Sequence, residues 1–129
     1  MRRRANVFEI RRKEQTLSKA RENAFHHRVY VVLLKPEAGR LRKVQRENPL
    51  HRDGFPCVYV GMTGLAPEER LSNHKSGVKA AYVVKRYGIK LMPELFEHLN
   101  PMPFEAALMM EKDLAEDLRQ QGYAVTGGH

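Results

Sequence analysis

The stretch Cys57-Val58-Tyr59-Val60-Gly61-Met62-Thr63-Gly64-Leu65-Ala66-Pro67-Glu68-Glu69-Arg70 decides how this chain folds. Its first part is β-branched and aromatic, which predicts a strand over 57–61. Gly61 and Gly64 punctuate it, and Pro67-Glu68-Glu69 reads as a first helical turn with proline at its start. The helix is expected from about 67 to 76, with Gly77 as its stop. Within it Arg70 and His74 are four residues apart, so they share a face, with Leu71 beside them toward the apolar side. A second tyrosine run, Val29-Tyr30-Val31-Val32-Leu33-Leu34, predicts another strand upstream. Two tyrosine strands, a glycine turn and a cationic helix make a layout suited to gripping a phosphate.

Downstream, a helical stretch is expected around Lys79 to Tyr87, stopping at Gly88. Ile89-Lys90-Leu91-Met92 and Leu95-Phe96-Glu97-His98-Leu99 offer material for a third strand, interrupted by Pro93. The last helix should begin at Pro103 or Phe104 and run to about Gln121, with Gly122 as its stop and Tyr123-Ala124-Val125 as a short final strand. Its apolar stripe is Phe104, Ala107, Leu108, position 111, Leu114, Ala115 and Leu118. Position 111 is glutamate. A carboxylate on an inward helical face is costly unless hydrogen bonds, a cationic partner or a metal ion compensate it. The periodicity leaves three readings open: Glu111 ligates a metal, it pairs with Arg70, or it rims the core while Met110 carries the burial.

Length and charge bound the remaining possibilities. A chain of 129 residues suffices for one domain with one core. It has no apolar run long enough to cross a membrane and no apolar stretch of a secretory signal behind its arginines. A single cysteine, Cys57, excludes an intramolecular disulfide and a thiolate zinc cluster, and fits a reducing cytoplasm. His26, His27 and His51 have no recognised zinc-ligand spacing. The net charge of +8 is front-loaded: residues 1–52 hold 15 Lys or Arg against 5 Asp or Glu, whereas residues 53–129 hold 8 against 10. A basic, helical N-terminal arm over residues 1–27, including Arg11 and Arg12, and a basic segment with Arg40, Arg42 and Lys43 therefore form a front that attracts polyanions through counterion release. A solvated tail that only aids solubility is the alternative reading.

The ordered set of Tyr30, Tyr59-Val60-Gly61, Arg70, His74 and the helical Glu111 resembles the GIY-YIG nuclease family, over roughly residues 28–128. The chain departs from the family pattern in carrying Arg28 where the first motif has glycine, and in the 28 residues between Tyr30 and Tyr59, so residues 35–56 read as a basic insertion in the form of a polar loop. No counterpart of the C-terminal asparagine of some members is present; Thr126 and Gly127 occupy that neighbourhood. The resemblance implies an α+β domain over 28–129, with a small, mostly antiparallel three-stranded sheet flanked by helices. It also implies a metal-dependent endonuclease acting on nucleic acid, DNA before RNA.

In that reading Glu111 is the one protein ligand of Mg²⁺ or Mn²⁺, and Arg70 is a bidentate donor to the phosphate. Tyr30 is the general base, Tyr59 positions the water or phosphate, and His74 hydrogen-bonds the nucleophile or moves a proton. A tyrosine near its ordinary pKa of about 10 is a poor base at neutral pH, so a nearby cation has to favour the phenolate. Arg28, Lys75 and Lys79 join the basic arm and insertion as nucleic-acid contacts; Tyr82 and Tyr87 either stack on bases or, as is commoner on such a helix, belong to the core or a groove wall. With no second domain to supply target recognition, specificity falls to the basic segments or a protein partner. The rival reading is a nucleic-acid-binding module of the same fold whose catalytic set is vestigial. A third is a protein-interaction domain whose basic tail docks an acidic partner.

Overall fold

The computed structural model describes residues 25–129. Of the helical arm expected over residues 1–27, the part up to residue 24, with Arg11 and Arg12, lies outside the described residues; residues 25–27 are not helical, and His27 bridges to Met102. Four strands, β1 (Arg28–Leu34), β2 (Cys57–Thr63), β3 (Gly88–Leu91) and β4 (Ala124–Gly127), form one sheet in the order β3-β1-β2-β4. The helices are α1 (Arg42–Glu47), α2 (Pro67–Ser76), α3 (Tyr82–Tyr87) and α4 (Phe104–Gln121), with single 3₁₀ turns at Pro36–Arg40, Pro93–Leu95 and Glu97–Leu99. Among these helices none is long and apolar enough to cross a membrane.

The α+β class follows the sequence, but the sheet has four strands, not three, and is mixed. β1 pairs antiparallel with both β2 and β3, whereas β4 joins β2 in parallel, Cys57 opposite Ala124 and Val60 opposite Gly127. The long return through α4 makes this parallel pairing possible, because a parallel neighbour needs a crossover rather than a hairpin. The expected third strand is only half realised: Gly88–Leu91 pairs with β1, but Leu95–Leu99 coils into 3₁₀ turns after Pro93, which has no N–H to give a ladder.

Both faces of the sheet are covered, which is why β1 buries four residues in succession, Val29 to Val32. The register places Tyr30 opposite Gly61 and Val32 opposite Tyr59, so these side chains share one face, together with Thr126 opposite Tyr59 on β4. α2 and α3 pack on β1 and β3 over that face. The valines of the other face, Val29, Val31, Val58, Val60 and Val125, are fully buried and meet α4, which packs across β2, β4 and β1. α2 and α4 start and stop where expected, with Gly77 and Gly122 as left-handed C-caps. α3 is shorter than expected, beginning at Tyr82, because the chain turns at Lys79, which has φ 45. The stripe of α4 also differs at its N-terminal end. Phe104 and Leu108 are exposed, since the first two turns overhang the sheet, and burial begins at Ala107 and Glu111.

Residues 35–56 are not a loop. Ala38 and Val44 bury their side chains and anchor the 3₁₀ turn against β2 and α3, and α1 against β4. The buried Asn48 completes the attachment: its Oδ1 accepts from Val125 N–H at 2.7 Å, and its Nδ2 donates to Val125 O at 2.8 Å and to Val44 O at 2.7 Å. β4 is an edge strand, and this amide stands in for the missing neighbour. Asn100 does the same for Val29, accepting its N–H at 2.9 Å and donating to its carbonyl at 2.7 Å, where β3 does not reach along β1.

Asn48→Ala strands the N–H of Val125 in a buried place and leaves its carbonyl only the 3.4 Å bond from Arg119 Nη2, so it should lower unfolding free energy by about 1–3 kcal/mol. Gln45→Ala, on the exposed side of α1, should change it by less than about 0.5 kcal/mol. Urea denaturation of both variants checks this; equal small losses would mean the asparagine amide is not holding β4.

Candidate active site

The site starts from a steric fact. A Cβ at Gly61 would lie 2.6 Å from Tyr30 Cζ and Oη and 2.9 Å from Tyr59 Cε1. Tyr30 therefore folds its ring across the bare backbone of its cross-strand partner, and Tyr59 leans over the same gap, their centroids 6.1 Å apart. Gly127, with φ 79, leaves the other side of the Tyr59 ring free in the same way: a Cβ there would lie 2.8 Å from Tyr59 Cε2. Tyr30 is the largest fully buried side chain among the described residues.

α2 delivers His74 onto this pair. Its Nε2 lies 2.8 Å from Tyr30 Oη, and its Nδ1 lies 3.0 Å from Ala81 N, whose N–H can only donate. A nitrogen that accepts carries no proton, so the imidazole is the Nε2–H tautomer and donates to Tyr30 Oη. Burial lowers the His74 pKa to about 4, and the positive charge of Arg70 adds to the effect. His74 is thus a neutral, fully buried donor that aims Tyr30, which removes it as a base toward Tyr30.

With its lone pair engaged by His74, the Tyr30 hydroxyl turns its own proton away from the histidine. Burial pushes its pKa well above the ordinary tyrosine value and the Tyr59 charge adds to that, while Arg70 pulls it down without reversing it. Tyr59 is raised too, first by burial and then by the negative charge of Glu111, against Arg70 and the Tyr30 hydroxyl. Both phenols keep their protons at neutral pH.

Arg70 is half-buried at the rim, where its Nη2 donates to Lys79 O at 2.9 Å and its Nη1 to Val78 O at 3.3 Å. Those bonds hold the turn that places Ala81 N–H on His74. Among the described residues Arg70 has no carboxylate partner, so the pairing with Glu111 is not formed. Glu111 is 8% exposed and also makes no ion pair among the described residues. Burial raises its pKa, while the backbone N–H of His129 and the charge of Lys112 lower it. The chain end bends against it: Gly128 packs so close to Ala115 that a Cβ would lie 2.5 Å from that methyl.

Among the described residues no cluster of three or more His, Cys, Asp or Glu exists, so Glu111 is a lone anchor. A buried carboxylate with no cation in ion-pair contact among the described residues fits a hard divalent ion that would take its other ligands from water and phosphate.

Beside the cluster lies a cleft of about 340 Å³ bordered by Tyr59, Lys43, Tyr82, Thr126 and His129. Thus Lys43, from the basic insertion, reaches the rim of the site, while Arg40 and Arg42 are exposed near it in sequence. Lys75 is differently engaged, donating to Gly88 O at 2.6 Å and tying α2 to β3. Lys79 is exposed beside Arg70, and Arg28 lines a separate cleft with Pro67, Glu68 and Asn100. The positions of Thr126 and His129 follow from the parallel pairing of β4, which the sequence pattern did not contain. No family model, curated protein or solved structure matches the chain.

Gly61→Ala must displace Tyr30 or spread β1 from β2, and should cost about 1–3 kcal/mol by denaturation. Neutral His74 gives a pH signature. The unfolded chain takes up its proton near 6.5 and the fold only near 4, so the unfolded state holds more protons between these values. Stability is fully present above pH 6.5 and falls as pH drops toward 4. The raised Glu111 works in the opposite sense, so the measurement is the difference between wild type and His74→Gln, in which Glu111 cancels. That difference should shrink across pH 6.5 to 4 and be flat above it.

Proposed function

We propose that this protein is a divalent-metal-dependent endonuclease that hydrolyses phosphodiester bonds of DNA, and that it is a single-domain relative of the GIY-YIG nucleases. The observation that carries this reading is the convergence of Tyr30, Tyr59, His74 and Arg70 beside Gly61, with the buried Glu111 electrostatically coupled to Tyr59. In the reaction a water oxygen bonds to phosphorus, the ester P–O bond breaks, and the leaving alkoxide ends protonated. Mg²⁺ or Mn²⁺ at Glu111 supplies charge neutralisation on the phosphate and the departing oxygen.

The chain's own groups supply the rest. Arg70 presents a permanent charge at the rim, and its donors can exchange the carbonyls of Val78 and Lys79 for phosphate oxygens as negative charge builds. His74 fixes the Tyr30 hydroxyl in one direction. Tyr30 meets the substrate as a protonated donor; it becomes the base only once cationic charge outweighs its burial. Tyr59 borders the cleft and orients water or phosphate there. Target choice falls to Lys43 and the other basic residues of residues 1–52, or to a protein partner.

The second reading, a binding module without turnover, is favoured by one observation: Tyr30, Tyr59 and Glu111 are all held in the uncharged direction. Cleavage of single-stranded, duplex and branched DNA with Mg²⁺, Mn²⁺ or chelator separates the two. The nuclease reading expects metal-dependent cutting that Glu111→Gln and Arg70→Ala each reduce by about 100-fold or more with folding intact. Binding with no cutting of any substrate by wild type would select the module.

A further inference from the structure

The cleft beside Tyr59 is larger than a phosphate needs. Its volume of about 340 Å³ lies near the small end of the roughly 300–1,000 Å³ typical of clefts that enclose organic ligands. Its walls are of two kinds. Val44 and the rings of Tyr59 and Tyr82 are apolar or aromatic, whereas Thr126, His129 and Lys43 bring polar atoms to the margin. Tyr82 is 68% exposed, on the first residue of α3, where a core role is excluded. It stands across the cleft mouth from α1, whose Arg42, Lys43 and Arg46 are exposed cations.

We propose that this cleft receives one unpaired nucleobase next to the scissile phosphate, with Tyr82 stacking on it and Lys43 contacting the adjoining backbone, so that the preferred substrate is single-stranded DNA. This rests on the nuclease reading of the neighbouring residues, which sets the phosphate beside Tyr59. Aromatic faces grip any base, and a nearby cation tracks the backbone, which is the common physics of single-strand binding. A paired and stacked base cannot enter without being extruded, and that extrusion consumes the energy that stacking returns. The cleft is therefore filled readily by a single strand and poorly by an intact duplex. The concave shape, rather than a flat basic surface, is what distinguishes this from charge alone: counterion release makes no distinction of this kind and acts on both forms.

The test is fluorescence anisotropy of the full chain in chelator, using a labelled single-stranded DNA oligonucleotide and the same sequence as a blunt duplex. Wild type should bind the single strand at least about tenfold more tightly. Tyr82→Ala should lose about tenfold on the single strand with little change on the duplex, and Lys43→Ala should lower the salt slope for the single strand by about 0.7. Both residues are exposed on short helices, so their variants should keep the wild-type denaturation curve. Equal wild-type affinity for the two forms, or a Tyr82→Ala loss shared equally between them, would overturn the proposal. Because no metal is present, binding is read apart from cutting. A single-strand preference lost in Tyr82→Ala alongside absent cleavage in Mg²⁺ would sink the nuclease reading and keep the base cleft, whereas metal-dependent cutting without that preference would do the reverse.

Discussion

The contact on which the rest of the molecule depends is the passage of the Tyr30 ring over Gly61. A cross-strand pair normally keeps its two side chains abreast. Here one partner has no side chain, so a buried tyrosine lies across the backbone and carries its hydroxyl toward α2. Once that hydroxyl has arrived, His74 is needed to satisfy it, and the Ala81 N–H is needed to fix which nitrogen of His74 is protonated. The turn at Val78 and Lys79, pinned by Arg70, is in turn what brings Ala81 within reach. A sequence of four hydrogen-bonding groups thus follows from one missing Cβ. The same glycine gives Tyr59 its place, and with it the wall of the cleft.

Sheet-edge management explains the second half of the chain's economy. The sheet is narrow, and two positions where a strand lacks a neighbour are closed by an asparagine side chain that copies a peptide group, Asn48 at Val125 and Asn100 at Val29. Asn48 sits just after α1, so the insertion and the end of the chain hold one another in place. Basic side chains on α1 are consequently set at a defined distance from the tyrosines instead of trailing from a loop. Charge delivery and edge closure are served by one segment.

The sequence made the strands, α2 and α4 legible because their signals are local. β-branched and aromatic runs mark β1 and β2, proline and glycine mark the ends of α2, and a 3.6-residue stripe marks α4 with Glu111 inside it. What it did not make legible depends on tertiary pairing. The parallel placement of β4 is set by the length and packing of α4, and no residue of Ala124–Gly127 announces a partner. The helix in the insertion is six residues long, too short for a periodic signal, and exists because Ala38 and Val44 find buried sites. Phe104 and Leu108 fit the stripe but overhang the sheet, since periodicity specifies a face and not how far the covered surface extends. Among the site residues, Tyr30, Tyr59, His74 and Arg70 come together, and Lys75 joins β3 instead of the cleft.

The electrostatics of the cluster carry one more consequence. Removal from water disfavours the charged form of each of the four titrating groups, so the phenols rise, Glu111 rises and His74 falls. Arg70 alone keeps its charge, and it is the group spent on two backbone carbonyls. Such an arrangement keeps the resting fold from burying bare charges, at the cost of holding the reactive groups in their least reactive protonation states. Its neutrality is conditional. A cation beside Glu111 would lower that carboxyl and, by cancelling its negative charge, relax the pressure on Tyr59, whereas a phosphate beside Arg70 would raise the tyrosines again through its own charge. If the proposed metal and phosphate bind here, each would strengthen the other's binding, because each would supply the charge that the other's contacts lack.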